Sequence, residues 1–476
     1  MGSNSRKQER VLIVEPSAVE SHVFSAFGGL PLLGPLVLGT LLRRAGFEVK
    51  VVSENLLRRR LTAIDLEADF LLLSCLTPTV ERGYELADLF RTTHPRGKVL
   101  MGGPHVSFMQ EEALRHADWI VTGEAEAVIV DLLRNGGEGR LVEGKPVEEL
   151  DSLPEIDWSL LVNAERMTAH PFMFSRGCPF GCNFCSVTSM FGRRYRTMSV
   201  ERVLSELRWP LTKTAFFYDD NFAANKARTH AILDGILAGK NRFEFSAQVR
   251  ADITDDEALL RKMARAGCVR VFVGFESVDD RALEEMKKGQ TSKDVRRAIR
   301  LFHKHGIGVH GMFMFGADAD EPSTVNATSE FVREARVDSV QFMIFTPFPG
   351  TEVFRRLEAE DRLLHRKWRY YDAMHVVAKP RGFSPFDLQR ITLDTYARYY
   401  SVANAFTDAR ETLRSAFSRW TPEDRERLGA PSMHNAFLKL VGGRIIRSWN
   451  GKNRGYMDYL KNVDEAPASQ RPDLSS

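Results

Sequence analysis

The stretch Ser175-Arg-Gly-Cys-Pro-Phe-Gly-Cys-Asn-Phe-Cys-Ser186 sets three cysteines, Cys178, Cys182 and Cys185, at Cys-x3-Cys-x2-Cys spacing. Thiolates this close in sequence can converge on one metal centre, and no fourth cysteine stands nearby. A cubane iron–sulfur cluster held by only three cysteines keeps one iron open for a non-protein ligand. Gly177 and Gly181 let the backbone wrap closely around a bulky cluster. Phe184, just before the last cysteine, is placed to shield the cluster from water and so to affect its potential. The alternative is a zinc loop with His170 or the distant Cys268 as fourth ligand. Zinc sites more often come as two Cys-x2-Cys knuckles or paired Cys and His.

The 476 residues suggest about three domains. Hydrophobic residues make up 43%, ample for buried cores, and a net charge of only +3 gives no ground for expecting nucleic-acid binding. Five cysteines, three of them in one loop, do not form an extracellular disulfide framework. A reducing compartment suits an oxygen-sensitive cluster. Met1 to Arg10 is polar and charged with no apolar core after it, so no signal peptide is expected. The most apolar stretch, Gly28 to Leu42, is short and ends in Arg43-Arg44, so no transmembrane segment is expected. The expectation is a soluble cytoplasmic protein.

From Val11 onward, strand and helix signals alternate. Val11–Val14, Glu48–Val52, Asp69–Ser74, Lys98–Met101 and Asp118–Val121 read as strands, with helices over Leu32–Ala45, Val80–Thr93 and near Glu111–His116. This alternation predicts a doubly wound parallel sheet, an α/β Rossmann-like domain over 10–139 that follows a polar tail at 1–9. Small and polar residues fall just past its strand ends: Ser74 to Thr77, Gly102-Gly103-Pro104-His105, and Gly123-Glu124-Ala-Glu126. Ligands bind over the carboxyl ends of such strands. No Gly-x-Gly-x-x-Gly follows the first strand, which weakens a dinucleotide reading.

A linker is expected over 140–167, exposed because it carries prolines and acids. A partial (β/α)6 barrel is expected over 168–375. Its strands are the run near Phe172–Phe174, then Thr214–Tyr218, Phe243–Ala247, Val269–Phe275, Val309–Phe315 and Ser339–Phe345. Helices intervene at about 227–237, 255–266, 293–305 and 323–335. Barrels place reacting groups at the carboxyl ends of their strands. Polar residues stand there: Asp219-Asp-Asn221, Gln248-Val-Arg250, Glu276-Ser277, Gly316-Ala-Asp318 and Thr346–Thr351. One such cluster is an ordinary helix cap, but five after successive strands imply a site. Residues 376–462 read as helical, with a stripe of Leu393, Tyr396, Ala397 and Tyr400 that fits core packing, and short helices at Glu423–Leu428 and Met433–Val441. The polar 463–476 reads as a disordered tail.

The cysteine loop resembles the signature loop of radical S-adenosylmethionine (SAM) enzymes. The chain from about Val11 to Pro380 resembles the superfamily in which a cobalamin-binding domain precedes the radical SAM barrel. Its members include class B radical SAM methyltransferases and the anaerobic Mg-protoporphyrin monomethyl ester cyclase group. In the first third the sharpest matches are Pro31-Leu-Leu-Gly34, Gly102-Gly-Pro-His105 and Gly123-Glu-Ala-Glu126. The Asp-x-His-x-x-Gly element of cobalamin mutases is absent; Glu15-Pro-Ser-Ala-Val-Glu-Ser-His22 stands in its place. The resemblance implies three cofactors: a [4Fe-4S] cluster on Cys178, Cys182 and Cys185, SAM, and cobalamin. It implies a SAM site at Phe184, Asp219, Asn221, Gln248, Arg250, Glu276 and Ser277, with Arg250 paired to the SAM carboxylate. It places cobalamin over Ser74, Thr77, Gly102, Gly103, Pro104, His105, Gly123, Glu124 and Glu126. No catalytic side chain is assigned.

The implied activity is functionalisation of an unactivated carbon. The 5′-deoxyadenosyl radical would abstract hydrogen and methylcobalamin would give its methyl group. The substrate would be a small molecule, lipid, tetrapyrrole or peptide, and flavodoxin or ferredoxin would be the reducing partner. The alternative is a radical SAM enzyme that cyclises or rearranges a tetrapyrrole or natural product without methylating it. Sulfur insertion, as in tRNA methylthiotransferases, is disfavoured because Cys75 is alone in the first domain. A zinc-stabilised binding protein would leave Arg250 and Glu276 unexplained.

Overall fold

The computed structural model describes residues 8–18, 29–208, 210–240, 243–417 and 433–465. The expected helix at 423–428, the tail from 466 and most of the loop through His22 lie outside them.

The first sheet is six-stranded and wholly parallel, in the order β2-β1-β3-β4-β5-β6. Its strands are β1 (Arg10–Glu15), β2 (Glu48–Ser53), β3 (Phe70–Ser74), β4 (Lys98–Gly102), β5 (Trp119–Thr122) and β6 (Leu141–Glu143). The run Val11–Val14 is buried throughout, as a strand covered by helices on both faces requires. β6 departs from the expectation, since it lies inside the stretch read as a linker. Its three residues have no apolar run to announce them. What makes them a strand is the open edge of β5, to which they hydrogen-bond. The rest of that stretch is exposed at most of its charged residues but is pinned by its leucines. Short 3-10 turns at Leu150–Ser152 and Trp158–Leu160 bury Leu150, Leu153, Leu160 and Leu161, and Leu161 bridges to Val51 of β2. Leucines interleaved with the prolines and acids outweigh them.

After the short β7 (His170–Phe172), the cysteine loop is held by an antiparallel pair, β8 (Ser175–Arg176) with β9 (Arg196–Thr197), which was not apparent from sequence. The second sheet is also six-stranded and parallel, in the order β14-β13-β12-β11-β10-β7. It is built from β7, β10 (Thr214–Phe217), β11 (Glu244–Val249), β12 (Cys268–Glu276), β13 (Gly308–Phe315) and β14 (Ser339–Ile344). Helices Lys226–Ala238, Glu257–Ala266, Ser292–Lys304 and Pro322–Glu334 connect them, within one or two residues of the expected spans. The strand order runs monotonically, as in a partial barrel of β/α units.

The carboxyl-terminal region is helical: Pro385–Tyr399, Val402–Phe417, Met433–Lys452 and Arg454–Glu465. Its aromatic stripe is core. The Tyr399 hydroxyl donates to Val337 O (2.5 Å) and that of Tyr400 to Val340 O (2.6 Å), anchoring the first helix to β14 and the turn before it. Among the described residues no helix is long and apolar enough to cross a membrane.

Candidate functional site

The cysteine loop leaves β8 at Gly177, whose φ of +85° suits glycine and where a Cβ would lie 2.1 Å from Arg194 O. Its N–H donates to Asp220 Oδ2 (3.2 Å). Cys178 and Cys185 are half-buried and Cys182 is 9% exposed; all three are free thiols. The Arg250 guanidinium lies 3.8 Å from the Phe180 ring centroid and puts Nη1 4.0 Å from Cys182 Sγ. Arg250 is buried, donates through Nη2 to Lys288 O (2.6 Å), and leaves Nε without a hydrogen bond, 3.9 Å from Asp252 Oδ2. Burial pushes the Cys178 thiol up, and the Arg250 charge partly opposes this. Arg250, at the end of β11, therefore faces the cysteine loop.

Glu276 ends β12 with φ +63°, a conformation that costs a non-glycine residue of order 1–3 kcal/mol and concentrates at functional positions. The register to β13 shifts at the same point. Glu276 Oε1 pairs with Lys288 Nζ (2.7 Å), and Oε2 is buried without a partner. Gly274 makes room for this pair, since a Cβ there would sit 2.3 Å from Glu276 Oε1. Sequence reading missed Lys288, which supplies both a carbonyl to Arg250 and an ammonium to Glu276. Its place in the surface-like run Lys287-Lys288-Gly289 gives no sign of burial.

Other expected residues play quieter parts. Asp219 is buried and braces the loop, accepting from Phe174 N (3.2 Å) and from the Ser175 hydroxyl. Burial pushes its carboxyl up to about 6, as it does that of Asp220. Gln248 approaches Asp219 O at 3.5 Å. The Ser277 hydroxyl accepts from Asp279 N (3.0 Å). Phe184 turns its ring onto Phe345, 6.1 Å away, within a small apolar cluster.

Buried polar atoms without a hydrogen bond collect here: Arg250 Nε, Glu276 Oε2, Asp219 Oδ2, Asn221 Oδ1 and Asn183 Oδ1. Native interiors rarely leave such groups unmet. Together with three free thiols they fit a resident cluster and a polar cofactor beside it. The thiols of a cubane bind different irons, so they need not crowd onto one point. Among the described residues no three His, Cys, Asp or Glu side chains do so. The zinc alternative loses its fourth ligand. His170 and Cys268 begin β7 and β12, at the strand ends opposite the loop.

The second site is a cavity of about 300 Å³ over the carboxyl ends of β3, β4 and β5. Ser74, Gly102, Gly103, Pro104 and Gly123 line its floor, as expected. Met173, Arg176, Phe191 and Tyr218 reach it from the barrel side. Gly103 has φ +102°, and a Cβ there would lie 2.6 Å from Cys75 O. A Cβ at Gly34 would meet nothing within 4 Å, so that wall is open toward a ligand. A flat, large group fits such a floor. His105 does not reach it. Its ring is buried edge-on to Trp368 (4.9 Å), with Nε2 3.7 Å from Glu112. Thr77 is buried in the turn after β3.

Glu124 and Glu126 line the cavity but are committed to arginines. Arg176 Nη1 pairs with Glu124 Oε2 (2.7 Å) and Nη2 with Glu126 Oε1 (2.6 Å); Arg196 also grips Glu124 and donates to Val147 O (2.6 Å). All four side chains are buried. This clamp ties the loop after β5 to β8 and β9, which carry the cysteine loop.

Glu15, at the end of β1 near Tyr218, adds a pH dependence. Burial pushes its carboxyl up to about 7, although Leu32 N–H, Ser53 and Asn55 hydrogen-bond to it. The folded state then holds a proton that the unfolded state has already lost. Stability is full below the ordinary carboxyl value and is lost as pH rises through about 7. We expect a fall on the order of 3 kcal/mol between pH 5 and 8. Urea midpoints across that range should lose this slope in Glu15→Gln.

Two family descriptions match the chain: "Radical SAM superfamily" over residues 172–332 and "B12 binding domain" over 23–133. An uncharacterised methyltransferase of Pyrococcus horikoshii is 29% identical, covering 83% of this chain and 93% of the relative. Bacteriochlorophyllide d C-8(2)-methyltransferase of Chlorobaculum tepidum is 28% identical, covering 71% and 79%. Among solved structures, the cobalamin-dependent SAM radical enzyme OxsB shares the fold, with TM-score 0.64 at 15% identity over 98% of this chain and 82% of that one. With the cysteine loop after the first barrel strand and a glycine-floored cavity facing it, the chain belongs to the radical SAM superfamily, in the branch whose barrel follows a cobalamin-binding domain.

Proposed function

We propose that this protein is a cobalamin-dependent radical SAM C-methyltransferase that methylates an unactivated carbon of a small-molecule substrate. One observation carries the reading. The floor for the corrin and the cysteine loop are joined by the Arg176–Glu124 clamp, so two cofactor sites are fixed to a shared wall. When bound, the cluster and SAM supply the radical that removes hydrogen from the substrate, and the corrin supplies the methyl group. The chain's own residues do the positioning. Cys178, Cys182 and Cys185 hold three irons. Arg250 presents a desolvated guanidinium to the SAM carboxylate, and Glu276, held by Lys288, receives the hydroxyl or amino groups. The aromatic and methionine wall between the sites excludes water, and fixed geometry replaces chance encounter.

Anaerobic reconstitution with iron, sulfide and hydroxocobalamin tests it. Retained corrin absorption, 5′-deoxyadenosine formation and transfer of a deuterated methyl group from labelled SAM into a component of cell extract are expected. Loss of corrin on desalting, with product formed without it, would replace the methylase reading by a cobalamin-free radical reaction.

Arg250→Lys is expected to weaken SAM binding about tenfold while iron content stays normal. Lysine keeps the charge but loses the guanidinium fork, which accounts for about 1.4 kcal/mol. Unchanged SAM affinity in this variant would remove Arg250 from the site.

A further inference from the structure

The barrel is hollow at the end opposite the cysteine loop. A chamber of about 240 Å³ lies between the first residues of β12, β13 and β14 and the helix Met433–Lys452. Phe272 and His310 form the strand wall, Ile445 and Ile446 the helical wall, and Tyr396 and Tyr400 close a third side. Loose packing does not account for it. The helix sits directly on Tyr400, where a Cβ at Gly442 would be 2.5 Å from the ring and one at Gly443 2.4 Å from the carbonyl oxygen.

The hollow continues upward. Along β12, β13 and β14 the outward side chains Val271, Val273, Val309, Val340 and Phe342 are almost fully buried. The alternate, inward positions Phe272, Gly274, Met312, Gln341 and Met343 are only half-buried, as are Ser246 and Gln248 of β11. Filled barrels pack this face into a core. Here it leaves a lumen along β12 from Arg270 toward Glu276, a span of seven residues, or about 20 Å.

Among the described residues Arg270 is the one charged residue lining the chamber. It donates to two neutral acceptors, Ser339 Oγ (2.8 Å) and Asn435 Oδ1 (3.3 Å). The nearby carboxylate of Asp338 is spent elsewhere, on His303 (2.9 Å), Val309 N (2.7 Å) and Asn435 (2.7 Å). His310 is neutral, its imidazole pushed down to about 3 by burial, and its Nδ1 lies 2.8 Å from Ser339 Oγ. The Arg270 charge is felt by the Asp338 carboxylate, but its direct hydrogen bonds go only to neutral acceptors, and such a guanidinium in a largely apolar chamber can take an anionic oxygen pair.

We propose that the chamber holds the non-reacting end of an elongated, largely apolar substrate whose terminal carboxylate pairs with Arg270, its other end lying in the lumen below Cys182 and Glu276. This rests on the reading of the upper site as the reaction centre. Chain length and head-group charge are then the specificity determinants, and Arg270 acts on binding rather than on the chemical step.

The test uses the reconstituted, SAM-bound protein with hexadecanoate, hexadecanol and octanoate as probes, by calorimetry and by the electron paramagnetic resonance spectrum of the reduced cluster. Hexadecanoate is expected to bind at least tenfold more tightly than hexadecanol. Arg270→Gln should abolish that difference, and Ile445→Trp, which fills the chamber, should exclude both acids. Hexadecanoate should alter the cluster spectrum, because it reaches the upper site, and octanoate should bind without altering it. Equal binding of acid and alcohol, undiminished hexadecanoate binding in both variants, or no binding at all would overturn the proposal. Those failures with normal 5′-deoxyadenosine formation would leave the reaction assignment standing. A protein that forms no cluster would refute that assignment, while calorimetry would still report on the chamber.

Discussion

Cys182→Ala is expected to abolish reductive cleavage of SAM and to lower iron content sharply. Cys182 is the most buried of the three loop thiols and the one beside Arg250. Removing it takes away one of three protein ligands, and no other thiol can replace it. Cys75 is buried beneath Gly83, where a Cβ would touch its sulfur at 2.5 Å, and burial pushes its thiol far up. Cys268 starts β12 at the far end of the barrel, with its thiol pushed up to about 12. Buried thiols of this kind are inert as ligands. Cys75→Ala and Cys268→Ala should therefore keep the cluster. Normal iron content and 5′-deoxyadenosine yield in Cys182→Ala would sink the cluster assignment.

The second large effect is expected from Glu124→Ala. Its carboxylate answers Arg176 and Arg196 together and accepts the Val147 N–H (2.9 Å). Removing it leaves the buried Arg196 without its carboxylate and Arg176 with Glu126 alone, and breaking a buried pair in this way costs about 3–5 kcal/mol. Because the clamp joins the corrin floor to the strands beside Cys178, corrin retention should fall together with the thermal midpoint. Glu148→Ala supplies the control. Its pair with Arg194 has side chains 62% and 53% exposed, and such exposed pairs contribute about 0–1 kcal/mol. If the two variants lose equally little stability, the clamp does not join the sites as described.

The contrast between Glu124 and Gly103 shows how much of the site the sequence carried. Glycine past a buried strand has one dominant meaning, a backbone that must turn or lie close to something. The positive φ of Gly103 and Gly123 bears that out. A carboxylate in the same loop has many meanings. Glu124 lines the cavity, as its position past β5 predicts, and is at the same time held by two arginines 52 and 72 residues away in the chain. His105 sits one residue past the Gly-Gly-Pro turn, yet its ring points into a core completed by Trp368. Lys288 looked like surface and is buried against Glu276.

The sequence by itself determined the alternation of buried strands and amphipathic helices, the two parallel sheets, and the loop of three cysteines. These are written in local periodicity and spacing, and hydrophobic burial enforces them wherever the segment ends up. Only the tertiary structure decided which polar side chains face a ligand and which are consumed by one another. It also decided that Leu141–Glu143 is a strand and that the barrel's inner face stays open down to Arg270. The reason is physical. A charged side chain takes its role from partners that meet it through the fold, and a three-residue edge strand exists only because β5 offers it hydrogen bonds. A lumen is a volume left between elements, and no single element's sequence contains it.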